Sequence, residues 1–327
     1  MTVLITGGAG FIGSAVAKAL MDRGDAVVLV DNFNDYYDPS LKRARINRFL
    51  RGYRNARGEN KRGRFTLFRA DVRNIAMMDR IIAKTRPTAI IHLAAMAGVR
   101  ASLEDPSLYA DVNVVGTTNI FTLAVKYKVK KVLYASSSSV YGELATVPFH
   151  EDARVDAPVS PYAATKKAKE LMAHAFHRVY GLNVAALRYF TVYGPWGRPD
   201  MGVFLFPERI LRGERIDVFN RGKMKRDFTY IDDIVRGTVT VLDADFSYDV
   251  FNIGGDTPIA LMDFIAAAER ATGKTARKRL LRMQPGDVPQ TMADVQKLRA
   301  LGWAPTTDID TGLRNFVQWY KDYYKIS

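Results

Sequence analysis

A tyrosine and a lysine four residues apart, Tyr162 and Lys166 in Ser160-Pro161-Tyr162-Ala163-Ala164-Thr165-Lys166, form the pair in this 327-residue chain best suited to moving a proton. Pro161 fits the first position of a helix, so the two side chains share a face. An ammonium beside a phenol favours the phenolate, which makes Tyr162 a usable general base near neutral pH. The spacing alone suits an ordinary solvated helix face equally well. What adds weight is Ala135-Ser136-Ser137-Ser138-Ser139-Val140-Tyr141-Gly142, a strand end that offers hydroxyls for polarising a substrate oxygen.

The elements that must position these groups begin at the first residues. Val3-Leu4-Ile5 runs directly into Gly7-Gly8-Ala9-Gly10-Phe11-Ile12-Gly13, and Ala15, Val16, Ala19 and Leu20 follow at helical spacing. This reads as a strand, a glycine turn and a helix. Gly7 permits the tight turn, Gly10 lets backbone N–H groups approach a pyrophosphate, and Gly13 allows close helix–strand packing, with the phosphate at the positive helix N-terminus. The next apolar run, Val27-Val28-Leu29-Val30, ends in Asp31, a carboxylate at the spacing that accepts adenosine ribose hydroxyls. A dinucleotide is the expected ligand. Because Asp31 repels a 2′-phosphate, NAD is favoured over NADP, and Lys166 is then available to hold the nicotinamide ribose.

Further along, β-rich runs alternate with helical patterns: 65–70 then 76–83, 89–93 then 108–125, 131–136 then 162–179, and finally 184–189. The expected fold is α/β, a Rossmann-type doubly wound parallel sheet with helices on both faces, over residues 1–186. After Gly194-Pro195-Trp196-Gly197-Arg198-Pro199 the alternation breaks, so residues 187–327 are expected to form a smaller mixed α/β substrate lobe, with part of 228–255 rejoining the main sheet. Ligands of such sheets bind beyond the carboxyl ends of the strands. The expected cofactor contacts are therefore Gly7, Gly10, Phe11, Ile12, Gly13, Asp31, Asn32, Asp71, Val72, Leu93, Ala94, Ala95, Tyr162, Lys166 and Tyr189. Leu313, Phe316, Val317, Tyr320 and Tyr324 form an apolar stripe on a last helix, which points to core packing.

The formal net charge is +14, and much of it lies in residues 42–64. There Lys42, Arg43, Arg45, Arg48, Arg51, Arg54, Arg57, Lys61, Arg62 and Arg64 face a single acid, Glu59. A nucleic-acid arm is one reading; the spacing near three, with only Phe49 and Tyr53 as stacking platforms, favours a solvated helix. A positive field of this kind also attracts an anionic substrate. The chain has no cysteine, which excludes disulfides, thiolate zinc sites and cysteine nucleophiles and fits a reducing compartment. With no apolar stretch near bilayer length and no charged leader before Thr2, the cytoplasm is the default expectation and no membrane partner is expected. His174 and His177 lack carboxylates to complete a metal site and read as helix-surface residues, His92 reads as a core histidine, and no metal is expected. Arg100, after Gly98-Val99, either meets a substrate anion or is simply solvated.

Together with Arg226-Asp227-Phe228-Thr229-Tyr230-Ile231-Asp232-Asp233, these strings resemble, over essentially the whole chain, the extended short-chain dehydrogenase/reductases, within the NAD-dependent sugar-nucleotide epimerase/dehydratase family. The resemblance implies Ser137 as the catalytic hydroxyl, Tyr162 as the base, Lys166 as its partner, and a homodimer built on the helices of 108–125 and 162–179. Three longer strings are similar to UDP-glucuronate 4-epimerases: Asp31-Asn32-Phe33-Asn34-Asp35-Tyr36-Tyr37-Asp38-Pro39, Tyr189-Phe190-Thr191-Val192-Tyr193-Gly194-Pro195-Trp196-Gly197-Arg198-Pro199-Asp200, and Gln284-Pro285-Gly286-Asp287-Val288-Pro289. That similarity implies a UDP-sugar substrate and an NAD that stays bound and is regenerated in each turnover. It also implies that Thr191, Ser138 and Ser139 hydrogen-bond a sugar carboxylate, that Val218 and Phe219 run along the uracil, and that Arg226 meets the diphosphate, with Arg198 and Arg100 as further anion contacts. Gln284 stands where galactose-type relatives carry a diphosphate-binding arginine. Asn113, preceded by Val112, falls out of step with the family's cofactor-contacting asparagine and is not among the expected contacts.

Ser138-Ser139 occupies the place of the Asp-Glu pair that resembles the acid and base of 4,6-dehydratases, and an unactivated serine cannot perform that proton transfer near neutral pH. Ser139 likewise replaces the glutamate implied for UDP-glucuronate decarboxylases. The implied reaction is 4-epimerisation. Tyr162 takes the C4 hydroxyl proton, Ser137 steadies that oxygen, hydride passes to NAD, and the 4-ketose turns before hydride returns to its other face. Epimerisation of UDP-glucose and UDP-galactose, and then decarboxylation of UDP-glucuronate, are the enzymic alternatives. An NAD-sensing regulator is the non-enzymic one, and it would need no tyrosine base.

Overall fold

The computed structural model describes residues 1–53, 65–144, 146–284 and 286–326. Arg54, Arg57, Lys61, Arg62 and Arg64 of the basic segment, the side chain of Arg51, and Pro285 lie outside the described residues. The first part of the chain runs β1 (Thr2–Thr6), α1 (Phe11–Asp22), β2 (Ala26–Asp31), α2 (Pro39–Tyr53), β3 (Phe65–Arg69), α3 (Ile75–Thr85) and β4 (Ala89–His92). Short helices α4 (Ala101–Glu104) and α5 (Pro106–Ala110), a π-helical turn Asp111–Val115 and α6 (Gly116–Lys126) follow. Then come β5 (Lys131–Ser137), a 3₁₀ turn Ser138–Tyr141, α7 (Pro161–Tyr180) and β6 (Val184–Tyr189).

Strands β1, β2 and β4 to β6 carry near-continuous apolar runs because both faces of a parallel sheet are covered, whereas the edge strand β3 is only partly buried. Alternate residues of each strand serve different layers. Val3, Ile5, Val27 and Leu29 pack with Val16, Ala17 and Leu20 of α1 on one side. Leu4, Val28, Val30 and Ile90 pack with Ile81, Ile82, Ile120 and Phe121 on the other.

The remaining chain forms β7 (Thr191–Tyr193), α8 (Gly202–Leu211), β8 (Arg215–Val218), β9 (Lys225–Tyr230), α9 (Ile231–Asp243), β10 (Tyr248–Ile253), β11 (Pro258–Ala260), α10 (Leu261–Thr272), β12 (Arg277–Leu280), α11 (Gln296–Arg299) and α12 (Ile309–Tyr324). Among the described residues the main sheet has seven parallel strands in the order β10-β6-β5-β4-β1-β2-β3, with β10 paired to β6 from Tyr248↔Val184 to Ile253↔Tyr189. Small sheets β11-β9-β7 and β12-β8 lie outside it. Strand order reverses between β1 and β4, which opens a crevice at their carboxyl ends.

Two local expectations are corrected. The helix expected over 108–125 is not regular: the π turn at Asp111–Val115 adds a residue to one turn and sets Asn113 facing inward, where it is fully buried. Nor is the basic helix α2 simply solvated. Leu41, Lys42, Arg45 and Ile46 make a buried stripe at helical spacing. Arg45 donates to Trp196 O and Gly197 O at 2.7–3.0 Å, to Tyr37 Oη at 2.6 Å and to Ala9 O at 3.3 Å, so its guanidinium ties α2, the glycine turn and the 194–197 loop together. On α12, Leu313, Phe316, Val317 and Tyr320 are buried, whereas Tyr324 at the helix end stays 38% exposed.

Outside the main sheet a buried carboxylate helps to hold distant segments of the chain together. Asp227 of β9 accepts from the backbone N–H groups of Gly255, Asp256 and Ala293 and from Thr229 Oγ1, joining three segments distant in sequence. Asp227→Ala leaves three of these N–H groups without their acceptor, at a cost of about 1–3 kcal/mol per stranded group. Thermal melting should show a midpoint lowered by roughly 4 °C or more.

Candidate active site

The glycine turn works by exclusion of side chains. Gly7 has φ +68°, and a Cβ there would stand 2.7 Å from Ala94 N; a Cβ on Gly13 would stand 2.2 Å from Gly7 O. Gly10 caps α1 with extended backbone and no side-chain acceptor, so the first amides of α1 are left to an anion.

At the end of β2, Asp31 accepts from Ala9 N at 3.0 Å through one oxygen and from Phe33 N at 2.8 Å through the other. Each oxygen keeps acceptor capacity for a ribose hydroxyl. Asn32 donates to Asp71 Oδ2 at 2.9 Å, and hydrogen bonds from Arg73 hold the Asp71 carboxyl down at about 2, outweighing its burial.

One cavity of about 460 Å³ joins these parts to the serine strand end. Its wall includes all the expected cofactor contacts: Gly7, Gly10, Phe11, Ile12, Gly13, Asp31, Asn32, Asp71, Val72, Leu93, Ala94, Ala95, Tyr162, Lys166 and Tyr189. Ser137, Ser138, Ser139, Thr191, Arg198 and Arg226 line it too. Arg100, Val218 and Phe219 do not. Val218 is fully buried in the core, while Arg100 is largely exposed, with its guanidinium over the Phe219 ring at 4.9 Å and 3.8 Å from Asp287. Gln284 is also off the wall, with its side-chain oxygen buried and unpartnered.

The chemical groups are held from several sides. Ser160 caps α7 by accepting from Ala163 N at 3.1 Å, and Pro161 opens the helix, which sets Tyr162 and Lys166 on the cavity side. Lys166 is 2% exposed, donates to Ala135 O at 3.0 Å, and its Nζ lies 5.5 Å from the Tyr162 ring centre. Burial pushes the Lys166 ammonium below the ordinary lysine range, with Tyr162 opposing that shift and Arg198 adding to it. The Tyr109 ring meets Tyr162 edge-on at 6.2 Å. Ser137 Oγ accepts from Ser139 N at 3.2 Å and Ser139 Oγ at 3.0 Å, which leaves its own O–H free to donate into the cavity.

Two contributors were not among the expected site residues. Lys42 lines the cavity near Asp31, donating to Asn34 O at 3.0 Å and Asn34 Oδ1 at 2.6 Å. Its signal was the 41/42/45/46 helical stripe hidden inside a run of basic residues. Asn113 accepts from Met96 N at 2.8 Å and donates to Met96 O and Thr165 Oγ1 at 2.9 and 3.0 Å, clamping the loop after β4 to α7. His92 is the satisfied core histidine that was expected, between Thr6 Oγ1 at 2.6 Å and Thr117 Oγ1 at 2.9 Å. His174 and His177 flank the Tyr248 ring, and no group of metal-ligating side chains occurs among the described residues.

A glycine turn at a helix start, an acid ending β2, and a serine–tyrosine–lysine set at the β5 end define a dinucleotide-dependent enzyme of the short-chain dehydrogenase type. Residues 3–254 match the NAD dependent epimerase/dehydratase family, and the chain belongs to that family. It is 44% identical over 321 residues to a UDP-glucuronate 4-epimerase of Thermodesulfobacterium geofontis, covering 98% of this chain and 96% of that protein. It is 43% identical to Protein CapI of Staphylococcus aureus, over 99% of this chain and all of that one. The crystal structure of UDP-glucuronic acid 4-epimerase from Bacillus cereus with UDP-glucuronic acid and NAD superposes with a TM-score of 0.90 at 34% identity, covering 99% of this chain and 100% of that chain.

Gly13→Ala would force the Gly7 carbonyl aside by more than the turn can yield, at a cost of about 1–3 kcal/mol. The expected outcome is a lower melting midpoint together with loss of dinucleotide absorbance from the purified protein, whereas Gly202→Ala, where a Cβ meets nothing within 4 Å and the backbone is not left-handed, should retain the dinucleotide.

Proposed function

We infer that this chain interconverts UDP-glucuronate and UDP-galacturonate by inverting C4, with NAD bound throughout turnover. The observation that carries the reading is that Tyr162, Lys166 and three serines line one cavity together with the glycine turn, Asp31, Thr191 and Arg198. The cofactor fits this chain: uncapped amides of α1 for its pyrophosphate, Asp31 for its adenosine ribose, and Lys166 for its nicotinamide ribose.

When bound, NAD supplies the acceptor and donor of hydride at C4. Tyr162 takes the C4 hydroxyl proton and later returns one, while Ser137 donates its free O–H to the same oxygen. Lys166 keeps positive charge beside the phenolate. Ser138, Ser139 and Thr191 hold the sugar carboxylate, which opposes loss of CO2 from the β-keto acid formed when C4 is oxidised. Neither Ser138 nor Ser139 can serve as the acid or base that dehydration requires. Arg226 meets the diphosphate from the other wall. Residues 1–186 act as the cofactor half and 187–327 as the substrate half, with the strand at 248–253 completing the cofactor sheet.

The proposal extends to a cytoplasmic homodimer. Exposed Leu103, Val115 and Leu171 on the outer surfaces of α4, the π turn and α7 support the pairing, and the cysteine-free sequence supports the compartment. No helix among the described residues is long and apolar enough to cross a membrane.

Purified protein incubated with UDP-glucuronate, without added NAD, should yield UDP-galacturonate and no UDP-pentose; a UDP-pentose, or turnover confined to UDP-glucose, would replace this reading. Tyr162→Phe should lower the rate by at least about 100-fold. Deuterium placed on C4 should remain in the product, and its exchange into water would defeat a hydride mechanism.

A further inference from the structure

Behind the catalytic lysine lies a second one that the reaction does not call for. Lys169, on the same helix face three residues on, is completely buried and donates to Ala135 O at 3.2 Å, the carbonyl to which Lys166 donates at 3.0 Å. Two amines thus converge on one acceptor at the carboxyl end of β5, sealed from water. Among the described residues no carboxylate lies within 4 Å of the Lys169 nitrogen. Its neighbour Glu170 is engaged by Ser136 at 2.6 Å and by the Arg188 guanidinium at 2.8 and 2.9 Å.

The other ionisable groups facing this corner offer no compensation. Lys169 Nζ stands 5.7 Å over the ring of Tyr134, whose hydroxyl is buried without a partner. His92 on β4 is fully buried between two threonines, and burial with the two lysines keeps its imidazole well below its ordinary range. Tyr162 and Arg198 act on Lys166 and not on Lys169. Two ammonium groups on one carbonyl, without a counter-charge, repel strongly in a low-dielectric site. Tyr162 favours charge on Lys166. Burial and then Lys166 itself push Lys169 well below the ordinary lysine range.

Resting on the reading that Lys166 serves Tyr162, we propose that Lys169 is a positioning residue: a neutral amine that keeps Ala135 O hydrogen-bonded while leaving Lys166 as the one charged amine beside the base. When Lys166 turns toward a ribose hydroxyl, Lys169 retains the carbonyl. No buried acceptor is abandoned by that movement.

Three substitutions in the holoenzyme separate donor from charge. Lys169→Gln keeps a donor without charge, Lys169→Met keeps neither, and Lys169→Arg keeps a donor with permanent charge. With UDP-glucuronate as substrate, the Gln variant should restore kcat to within about twofold of the wild type where the Met variant loses about fivefold, the equivalent of one hydrogen bond. The Arg variant should move the alkaline limb of the kcat–pH profile downward by about one unit, because a fixed neighbouring charge makes Lys166 lose its proton earlier. Independently of turnover and of whether the Arg variant folds, 13C-labelled lysine in the wild type should show one ε-carbon signal, absent from Lys169→Gln, at the position of a neutral amine at pH 7. A protonated signal at pH 7, equal Gln and Met rates, or an unmoved limb in a folded Arg variant would overturn the inference. A wild type that turns over no UDP-sugar would remove the reaction reading instead, and the lysine titration would then decide the neutral state of Lys169 alone.

Discussion

The distance between Gly7 and Gly13 is the constraint on which the site depends. Helix α1 can start directly above the end of β1 only because the Gly13 hydrogen faces the Gly7 carbonyl, at a place where a methyl would stand 2.2 Å away. That contact aims the free amides of α1 into the crevice where strand order reverses between β1 and β4. Everything later in the chain is built to that crevice. Asp31 is drawn onto Ala9 N of the turn, Arg45 ties α2 to Ala9 O and the 196–197 carbonyls, and Asn113 fixes the loop after β4 against α7.

With the floor so fixed, the groups proposed to react are already held in place. Ser160 and Pro161 start α7 at the register that places Tyr162 and Lys166 on the cavity wall, and the β5 carbonyl of Ala135 receives Lys166 from below. Ser137 performs two tasks with one hydroxyl: its lone pairs cap the 3₁₀ turn Ser138–Tyr141, and its proton remains for a ligand. In the reaction proposed, preorganisation of this kind costs no rearrangement at the moment of proton transfer.

The parts of this arrangement that were legible in the sequence are those set by local chemistry. The glycine spacing, the acid after β2 and the Pro-opened helix each have a short-range cause, and the alternating apolar runs identify the parallel sheet. What the sequence concealed depends on long-range register. Val218 and Phe219 sit in a string that suggests contact with a base, yet β8 turns Val218 wholly into the core. The basic run near α2 read as a solvated face because charge counts do not reveal that Lys42 and Arg45 share a stripe with Leu41 and Ile46. Asn113 looked out of step because a π turn, which no propensity signals, rotates it inward.

The arginines make the same point in energetic terms, since a guanidinium in a folded chain must find acceptors or anions. Arg188 is neutralised in the core by Glu170, and Arg45 is satisfied by backbone carbonyls and a tyrosine hydroxyl. Arg198 is paired with Asp200, which keeps its charge despite burial while a further donor reaches Ala97 O. Arg226 differs. It is half-buried on the cavity wall and donates to the carbonyl of its own neighbour, Lys225, while burial depresses its charged form and Asp287 only partly opposes this. A diphosphate is the kind of partner that completes such a group, because it supplies the several anionic oxygens that a planar guanidinium can bind in pairs. The cavity thus lacks a full counter-charge around Arg226 and is well supplied with acceptors at Asp31. A ligand with a phosphate-rich middle and hydroxyl-rich ends satisfies both conditions at once.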